Sequence, residues 1–267
     1  MRIVVLGHTG MIGRYCFQYL SQSNQEVVGY SRNDFDAREE NVEFIRKDDI
    51  VVNCVGIIKP YIDKVGIVNT IKINTIFPHI LAERCKLVNA RLIHICSDCV
   101  YSGAKGQYKE TDMCDATDVY ARTKMLVPED VAVIRTSVIG EDLNSDGVGF
   151  LQWFLRQEEA DGYINCMWNG MTALQLAKII EVVIGTNKLW KGVRHVYSKD
   201  SISKYDLCTY VAEIYKMTVR IKPVKASSIS GTEIDGILDR TLATCHTPFD
   251  TNTIYNQIVE MEGYNLK

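Results

Sequence analysis

Tyr120 and Lys124 are the pair in this 267-residue chain whose types and spacing most plainly suit chemistry. Four positions apart on a helix, both side chains lie on one face. A phenol is a proton donor with an unperturbed pKa near 10, too high to exchange protons readily at neutral pH. A neighbouring ammonium favours the phenolate and lowers that value. Ser97 could hydrogen-bond a substrate carbonyl beside the tyrosine. The spacing alone is weak: with 14 tyrosines, roughly one such pair arises by chance, and Tyr101/Lys105 is a second example. Tyr101 and Lys105 span a Ser-Gly turn and need not face each other. Tyr120 and Lys124 sit in a helix beginning at Asp118, whose carboxylate suits the N-cap, about two dozen residues beyond the strand that presents Ser97.

The elements that would position this pair begin at residue 1. Ile3 to Leu6 is an apolar run fit for a buried parallel strand, and Arg14 to Gln22 is amphipathic in helical period. Between them stand Gly7, His8, Thr9, Gly10, Met11, Ile12 and Gly13, spaced G-x-x-G-x-x-G, one residue longer at the front than G-x-G-x-x-G. A strand, a glycine turn and a helix start form a dinucleotide cradle, because glycine lets the backbone approach a pyrophosphate and the helix N-terminus offers N–H groups. Gly7, Thr9, Gly10, Met11, Ile12 and Gly13 are therefore expected against the cofactor; the plain alternative is a glycine-rich turn without a ligand. An oxidised nicotinamide held here would add a second positive charge favouring the Tyr120 phenolate.

A second strand, Glu26 to Tyr30, ends in Ser31-Arg32, where NAD-specific folds place an acid. Ser31 and Arg32 suit a 2′-phosphate, so NADP(H) is favoured over NAD(H), although Arg32 also fits a solvated surface. A short helix is expected over Ala37 to Lys47. The strand Asp49 to Gly56 would bring Asn53, Val55 and Gly56 to the cofactor edge of the sheet. Lys59 and Tyr61 read as loop residues. Val68 to Leu87 reads as a long helix kinked at Pro78, with Asn74 on an exposed face. Arg91 to Cys96 is a further buried strand, delivering Ser97, Asp98 and Cys99 to the same edge. Beyond residue 140 helices dominate: Val148 to Gln157, Ala173 to Ile184 behind an N-capping Thr172, and Ser203 to Lys216, with a strand over Val193 to Tyr197 and a helix in the tail.

A net charge of −3 and a sequence pI near 6.0 give no electrostatic footprint for nucleic acid or an anionic membrane surface. No apolar run approaches the roughly 18–20 residues of a membrane span, and the first residues read as a strand rather than a signal peptide. Nine cysteines scattered through predicted strands and helices fit reduced thiols in a cytoplasmic setting. Cys96 and Cys99 form a lone C-x-x-C that straddles a strand end, a poor metal site without further ligands. The expected architecture is α/β: a Rossmann-type doubly wound parallel sheet over residues 1–140 and a smaller α+β substrate domain mainly over 141–267, with some segments returning to the sheet.

Gly7/Gly10/Gly13, Asn74, Ser97 and Tyr120-Ala-Arg-Thr-Lys124 together resemble an extended short-chain dehydrogenase/reductase, and within it the dTDP-4-dehydrorhamnose reductase family. Ser97-Asp98-Cys99-Val100-Tyr101-Ser102-Gly103 is similar to that family's Thr-Asp-Tyr-Val-Phe-x-Gly segment. Asp112, the Val133 to Ser137 strand exit and Trp168-Asn169-Gly170-Met171-Thr172 match further landmarks. The resemblance, best over residues 1–172, implies NADPH-dependent reduction of the 4-keto group of a nucleotide-diphosphate 4-keto-6-deoxy sugar. Tyr120 would donate the proton, Ser97 polarise the carbonyl, Lys124 lower the Tyr120 pKa and hold the ribose, and Asn74 carry a structural water. Ser97, Asp98, Cys99, Asn169 and Arg240 would meet the substrate, Arg240 through its diphosphate, although Asn169 also suits a packed hinge and Arg240 a surface ion pair. A homodimer fits the same resemblance. Cys99 departs from the family's tyrosine. Bifunctional sugar-nucleotide epimerase/reductases carry a catalytic cysteine at this offset, which implies 3,5-epimerisation through Cys99 as an alternative. That chemistry needs a second acid/base, and only Tyr163 lies near the expected place. Regulatory partners of methionine adenosyltransferase share these landmarks, so a non-catalytic dinucleotide-binding subunit is the remaining alternative.

Overall fold

A computed structural model describes every residue except 40, 143–146, 187–188, 230–231, 234–235 and 267. Six strands form one parallel sheet: β1 (Arg2–Leu6), β2 (Glu26–Tyr30), β3 (Ile50–Asn53), β4 (Arg91–Ser97), β5 (Ala132–Thr136) and, from the second half, Gly192–His195. Their order is β2-β1-β3-β4-β5 followed by Gly192–His195 at the far edge. Strand order reverses between β1 and β3, which opens a crevice beyond their carboxyl ends. β1, β3 and β5 are buried along their whole length, as strands covered on both faces must be.

Helix α1 (Met11–Leu20) packs on one face of the sheet against Ala173–Gly185 of the second half. The other face is covered by a helical run in three segments: α2 (Ile67–Ile71), a π-helical stretch over Lys72–Ile76, and α3 (Phe77–Leu87). Pro78 lies in the first turn of α3 and cannot donate to the Asn74 carbonyl, and the widened turn before it absorbs that mismatch. The helix expected over Ala37 to Lys47 is absent among the described residues, where turns run instead. Asp36 Oδ1 accepts from Arg38 N and Asn41 Oδ1 from Glu43 N, local bonds that compete with helix formation. Val42 and Ile45 still tuck into the core beneath Phe77 and Leu81.

Asp118 caps α4 (Val119–Met125), accepting from Ala121 N, and Thr172 caps α5 (Ala173–Gly185), accepting from Gln175 N. The helix expected from Val148 is shorter, Phe150–Phe154. The second half contributes a small three-stranded sheet: β6 (Cys166–Trp168) flanked by Ile202–Ser203, antiparallel, and Leu238–Asp239, parallel. Ser203 then starts α6 (Lys204–Ile214) with a capping box, its hydroxyl accepting from Asp206 N while Asp206 Oδ2 accepts from Ser203 N. Helix α7 (Ile254–Glu262) packs on α5 and α6.

Candidate active site

The glycine turn leaves β1 at Gly7, which has φ of +76°, a conformation that costs glycine nothing. At Gly13 the constraint is close approach: a Cβ there would lie 2.1 Å from the Gly7 carbonyl oxygen. Helix α1 thus sits directly on the turn, and its Gly10 N-cap provides no side chain to occupy the first N–H groups. These features fit a pyrophosphate. Across the crevice, the Val55 side chain lies against Gly7.

At the tip of β2 the Ser31 hydroxyl and backbone N–H both donate to Asp34 Oδ2, at 2.8 and 2.7 Å. Those two bonds hold the Asp34 carboxyl below its ordinary value and turn it back on its own loop. The first acid after β2 is therefore engaged locally, while Arg32 is exposed beside it. Ser31 is buried, so its hydroxyl shapes this turn.

Asn53, expected on the cofactor edge, points elsewhere. It is fully buried, its Oδ1 accepts from Val55 N at 3.1 Å, and its amide nitrogen lies 3.1 Å from His94 Nδ1. The side chain shapes the strand exit from within the core. Asn74, expected on an exposed face, is 1 % exposed. Its amide donates to Ile57 O at 2.9 Å and Thr123 Oγ1 at 3.1 Å, and accepts from Ile57 N at 2.8 Å. This clamp fixes the strand exit against α4. A Cβ on Gly56 would stand 2.9 Å from Lys124 Nζ, so the ammonium lies directly beside the backbone that follows β3.

Tyr120 and Lys124 are both buried. Burial raises the Tyr120 phenol, Cys99 raises it further, and the hydrogen-bonding Ser97 hydroxyl opposes the shift. The burial that surrounds the phenol also pushes the Lys124 ammonium down. Ser97 Oγ accepts from Cys99 N at 3.1 Å and lies 3.3 Å from Asp98 Oδ1. Cys96 points into the core, its thiol donating to Lys124 O, while Cys99 is half-buried at the site. Burial and the Asp98 charge push the Cys99 thiol up to about 11.

The second half closes on this edge. Asp239 N donates to Gly103 O, Arg240 Nε lies 3.3 Å from Ser102 O, and the Arg240 charge acts on Asp98, Cys99 and Asp118. Arg240 is thereby brought to the serine edge. The buried Asn169 amide donates to Leu242 O at 2.8 Å and accepts from Leu242 N at 2.9 Å, locking the segment after Arg240 in place. Tyr163 stands 37 % exposed on Glu159–Tyr163, a strand paired with Arg220–Val224.

Two residues escaped sequence reasoning. Lys59 is paired with Asp118 at 2.8 Å, tying the loop after β3 to the start of α4. Lys204, the first residue of α6, lies with Nζ 4.5 Å from the Trp168 ring centre and 5.5 Å from that of Phe150. Asp98 is the charge that supports its protonated form most. The Ser-Lys-Tyr-Asp helix start was visible in the sequence, but the pairing of Ile202–Ser203 with β6 is what sets Lys204 against Trp168.

The family model described as RmlD substrate binding domain matches residues 1–232. The chain belongs to that family. Among curated relatives, it is 25% identical to dTDP-4-keto-6-deoxy-D-glucose reductase of Streptomyces niveus, over 87% of this chain and 85% of that one. It is 25% identical to dTDP-4-dehydrorhamnose reductase of Mycolicibacterium smegmatis, over 77% and 66%. It is also 20% identical to methionine adenosyltransferase 2 subunit beta of Rattus norvegicus, over 87% and 78%. The fold matches that of dTDP-4-dehydrorhamnose reductase from Bacillus anthracis, solved in complex with NADP, with a TM-score of 0.80, 17% identity and 98% of each chain covered. The corresponding protein from Clostridium acetobutylicum gives 0.78 and 20%, over 98% of this chain and 99% of that one.

Proposed function

We propose that the chain reduces the 4-keto group of a nucleotide-diphosphate 4-keto-6-deoxy sugar with NADPH. The observation that carries this reading is the convergence of Ser97, Tyr120 and Lys124 beside Gly56 at the carboxyl edge of the sheet. The names of the reductase relatives support the substrate class, and the cradle at Gly7 to Gly13 fits the dinucleotide. NADPH, when bound, supplies the hydride. The N–H groups at the start of α1 hold the pyrophosphate, Arg32 answers the 2′-phosphate, and Lys124 beside Gly56 holds the nicotinamide ribose.

Ser97 donates its hydroxyl proton as a hydrogen bond to the C4 carbonyl oxygen. Tyr120 gives its proton to that oxygen as negative charge develops there. A phenol raised by burial stays protonated throughout the neutral range, which suits a proton donor in the reductive direction. Asp98 and Arg240 border the sugar, with Arg240 directed to the diphosphate. Asn74 acts by fixing Ile57 and Thr123 around Lys124, and Asn53 and Asn169 act through the backbone rather than by touching ligand.

A second reading, 3,5-epimerisation through Cys99, is favoured by one observation: the half-buried Cys99 stands beside Ser97, its backbone N–H donating to Ser97 Oγ at 3.1 Å. With its pKa near 11, this thiol suits giving a proton more than taking one. The experiment is to incubate the protein with NADPH and dTDP- or UDP-4-keto-6-deoxyglucose, with and without an added 3,5-epimerase. NADPH oxidation only with the epimerase supports a plain reductase. Oxidation to a rhamnose product without it, lost in Cys99→Ser, supports the second reading. NADPH binding without turnover on any of these substrates would leave a non-catalytic dinucleotide-binding subunit.

A further inference from the structure

Lys204 and Arg240 reach the site from separate segments of the second half, and both act on one carboxylate, Asp98. The neighbouring acid, Asp118, is already paired with Lys59. Two cations around one buried carboxylate leave positive charge in excess in a cleft of a chain whose net charge is −3. A half-buried lysine packed against two aromatic rings is costly to keep charged unless an anion meets it. The anion facing it is the Asp98 carboxylate; burial pushes up the neighbouring Cys99, Cys166 and Cys208 thiols and so keeps them protonated, and the Trp168 and Phe150 rings lie beside it. The aromatic faces hold the ammonium by cation–π attraction without neutralising it.

We propose that Lys204, together with Arg240, grips the diphosphate of the nucleotide sugar and decides how tightly the substrate binds. The assignment rests on the nucleotide-sugar reading above and adds to it a residue that the sequence motifs did not reach. A diphosphate diester carries two negative charges on adjacent phosphorus centres, so it can bridge two cations that a single carboxylate leaves in excess. Arg240 offers a planar fork and Lys204 a compact point charge. The Lys204 ammonium, held down to about 8 by burial, is recharged by a bound dianion. In the unliganded protein it loses its proton as pH rises through about 8, so affinity for the diphosphate falls over that range.

The test measures binding rather than turnover. The wild-type chain, Lys204→Met and Lys204→Arg are titrated with dTDP-glucose and UDP-glucose, with thymidine and uridine as probes lacking the diphosphate, and with NADPH as a control. Lys204→Met should weaken the tighter sugar nucleotide roughly tenfold to hundredfold. It should leave nucleoside and NADPH binding unchanged, and Lys204→Arg should stay within a few-fold of wild type. In the wild type, affinity should fall between pH 7.5 and 9.5, and in Lys204→Arg it should stay flat. Lys204→Met that binds dTDP-glucose or UDP-glucose as the wild type does would overturn this assignment while leaving the reductase reading intact. A wild-type chain that binds neither sugar nucleotide would overturn both. Should Lys204→Met fail to fold, a wild-type affinity that is constant from pH 7.5 to 9.5 overturns the assignment by itself.

Discussion

Replacing Asn74 by leucine removes the clamp that holds the strand exit after β3 against α4. The substitution keeps volume and apolar fit but deletes three hydrogen bonds: from Ile57 N at 2.8 Å, to Ile57 O at 2.9 Å and to Thr123 Oγ1 at 3.1 Å. The Asn74 position is 1 % exposed, so water cannot replace them. Each buried backbone group left unpaired costs about 1–3 kcal/mol, so stranding the N–H and C=O of Ile57 costs about 2–6 kcal/mol. For a chain of this size that lowers the melting temperature by roughly 5–20 °C. Because Gly56 lies against Lys124 Nζ, a displaced exit also moves the ammonium, and kcat should fall at least tenfold alongside the melting temperature. Asn69→Ala is the control, since that half-buried amide makes one bond, to Val65 O, and its loss should cost about 1 kcal/mol or less. Differential scanning calorimetry and steady-state kinetics read the two effects. Asn74→Leu that melts with the wild type and turns over at its rate would refute the clamp.

Gly13→Ala places a Cβ 2.1 Å from the Gly7 carbonyl oxygen, a backbone atom that cannot move aside, so it should destabilise the chain by about 3 kcal/mol and weaken NADPH binding. Gly185→Ala, at the end of α5 with nothing within 4 Å of the added methyl, should instead be neutral or stabilising by up to about 1 kcal/mol in thermal melts. Burial alone would raise the Glu110 carboxyl, but His195 N, the Thr244 hydroxyl and Cys245 N donate to it and hold it at about 2. A carboxyl depressed on folding stabilises above its unfolded value near 4.3 and loses that contribution as pH falls toward 2. Acid titration of stability should therefore steepen over that window in the wild type and flatten there in Glu110→Gln.

What was legible in the sequence was local. The β1–turn–α1 unit, the Asp118 and Thr172 caps and the positions of β2 through β4 follow from period, glycine spacing and capping chemistry within a dozen residues, and the structure places them so. One cause of failure is that tertiary partners decide where a polar side chain points. Asn74 looked like an exposed helix residue, yet Ile57 and Thr123, 17 and 49 positions away, claim its amide, and the Asn53 amide meets His94 across the β3–β4 pair. Over residues 37–47, Asp36 and Asn41 bond to nearby N–H groups and displace the expected helix. Lys204 had no sequence signal of its own, because its place depends on the antiparallel pairing of Ile202 with Trp168, 34 positions apart. Burial, which the Tyr-x-x-x-Lys spacing alone does not report, raises the Tyr120 phenol.

The most direct test of the proposed reduction follows the label. NADPH deuterated at the transferable position of nicotinamide C4 is incubated with the protein and dTDP-4-dehydrorhamnose, and the product sugar is read by mass spectrometry and NMR. The account predicts deuterium at sugar C4 in the wild type. It also predicts a loss of about 10²–10⁴ in kcat for Tyr120→Phe with NADPH affinity retained. Transfer at an undiminished rate in Tyr120→Phe, or no transfer by a wild-type chain that binds both NADPH and the sugar nucleotide, would contradict it.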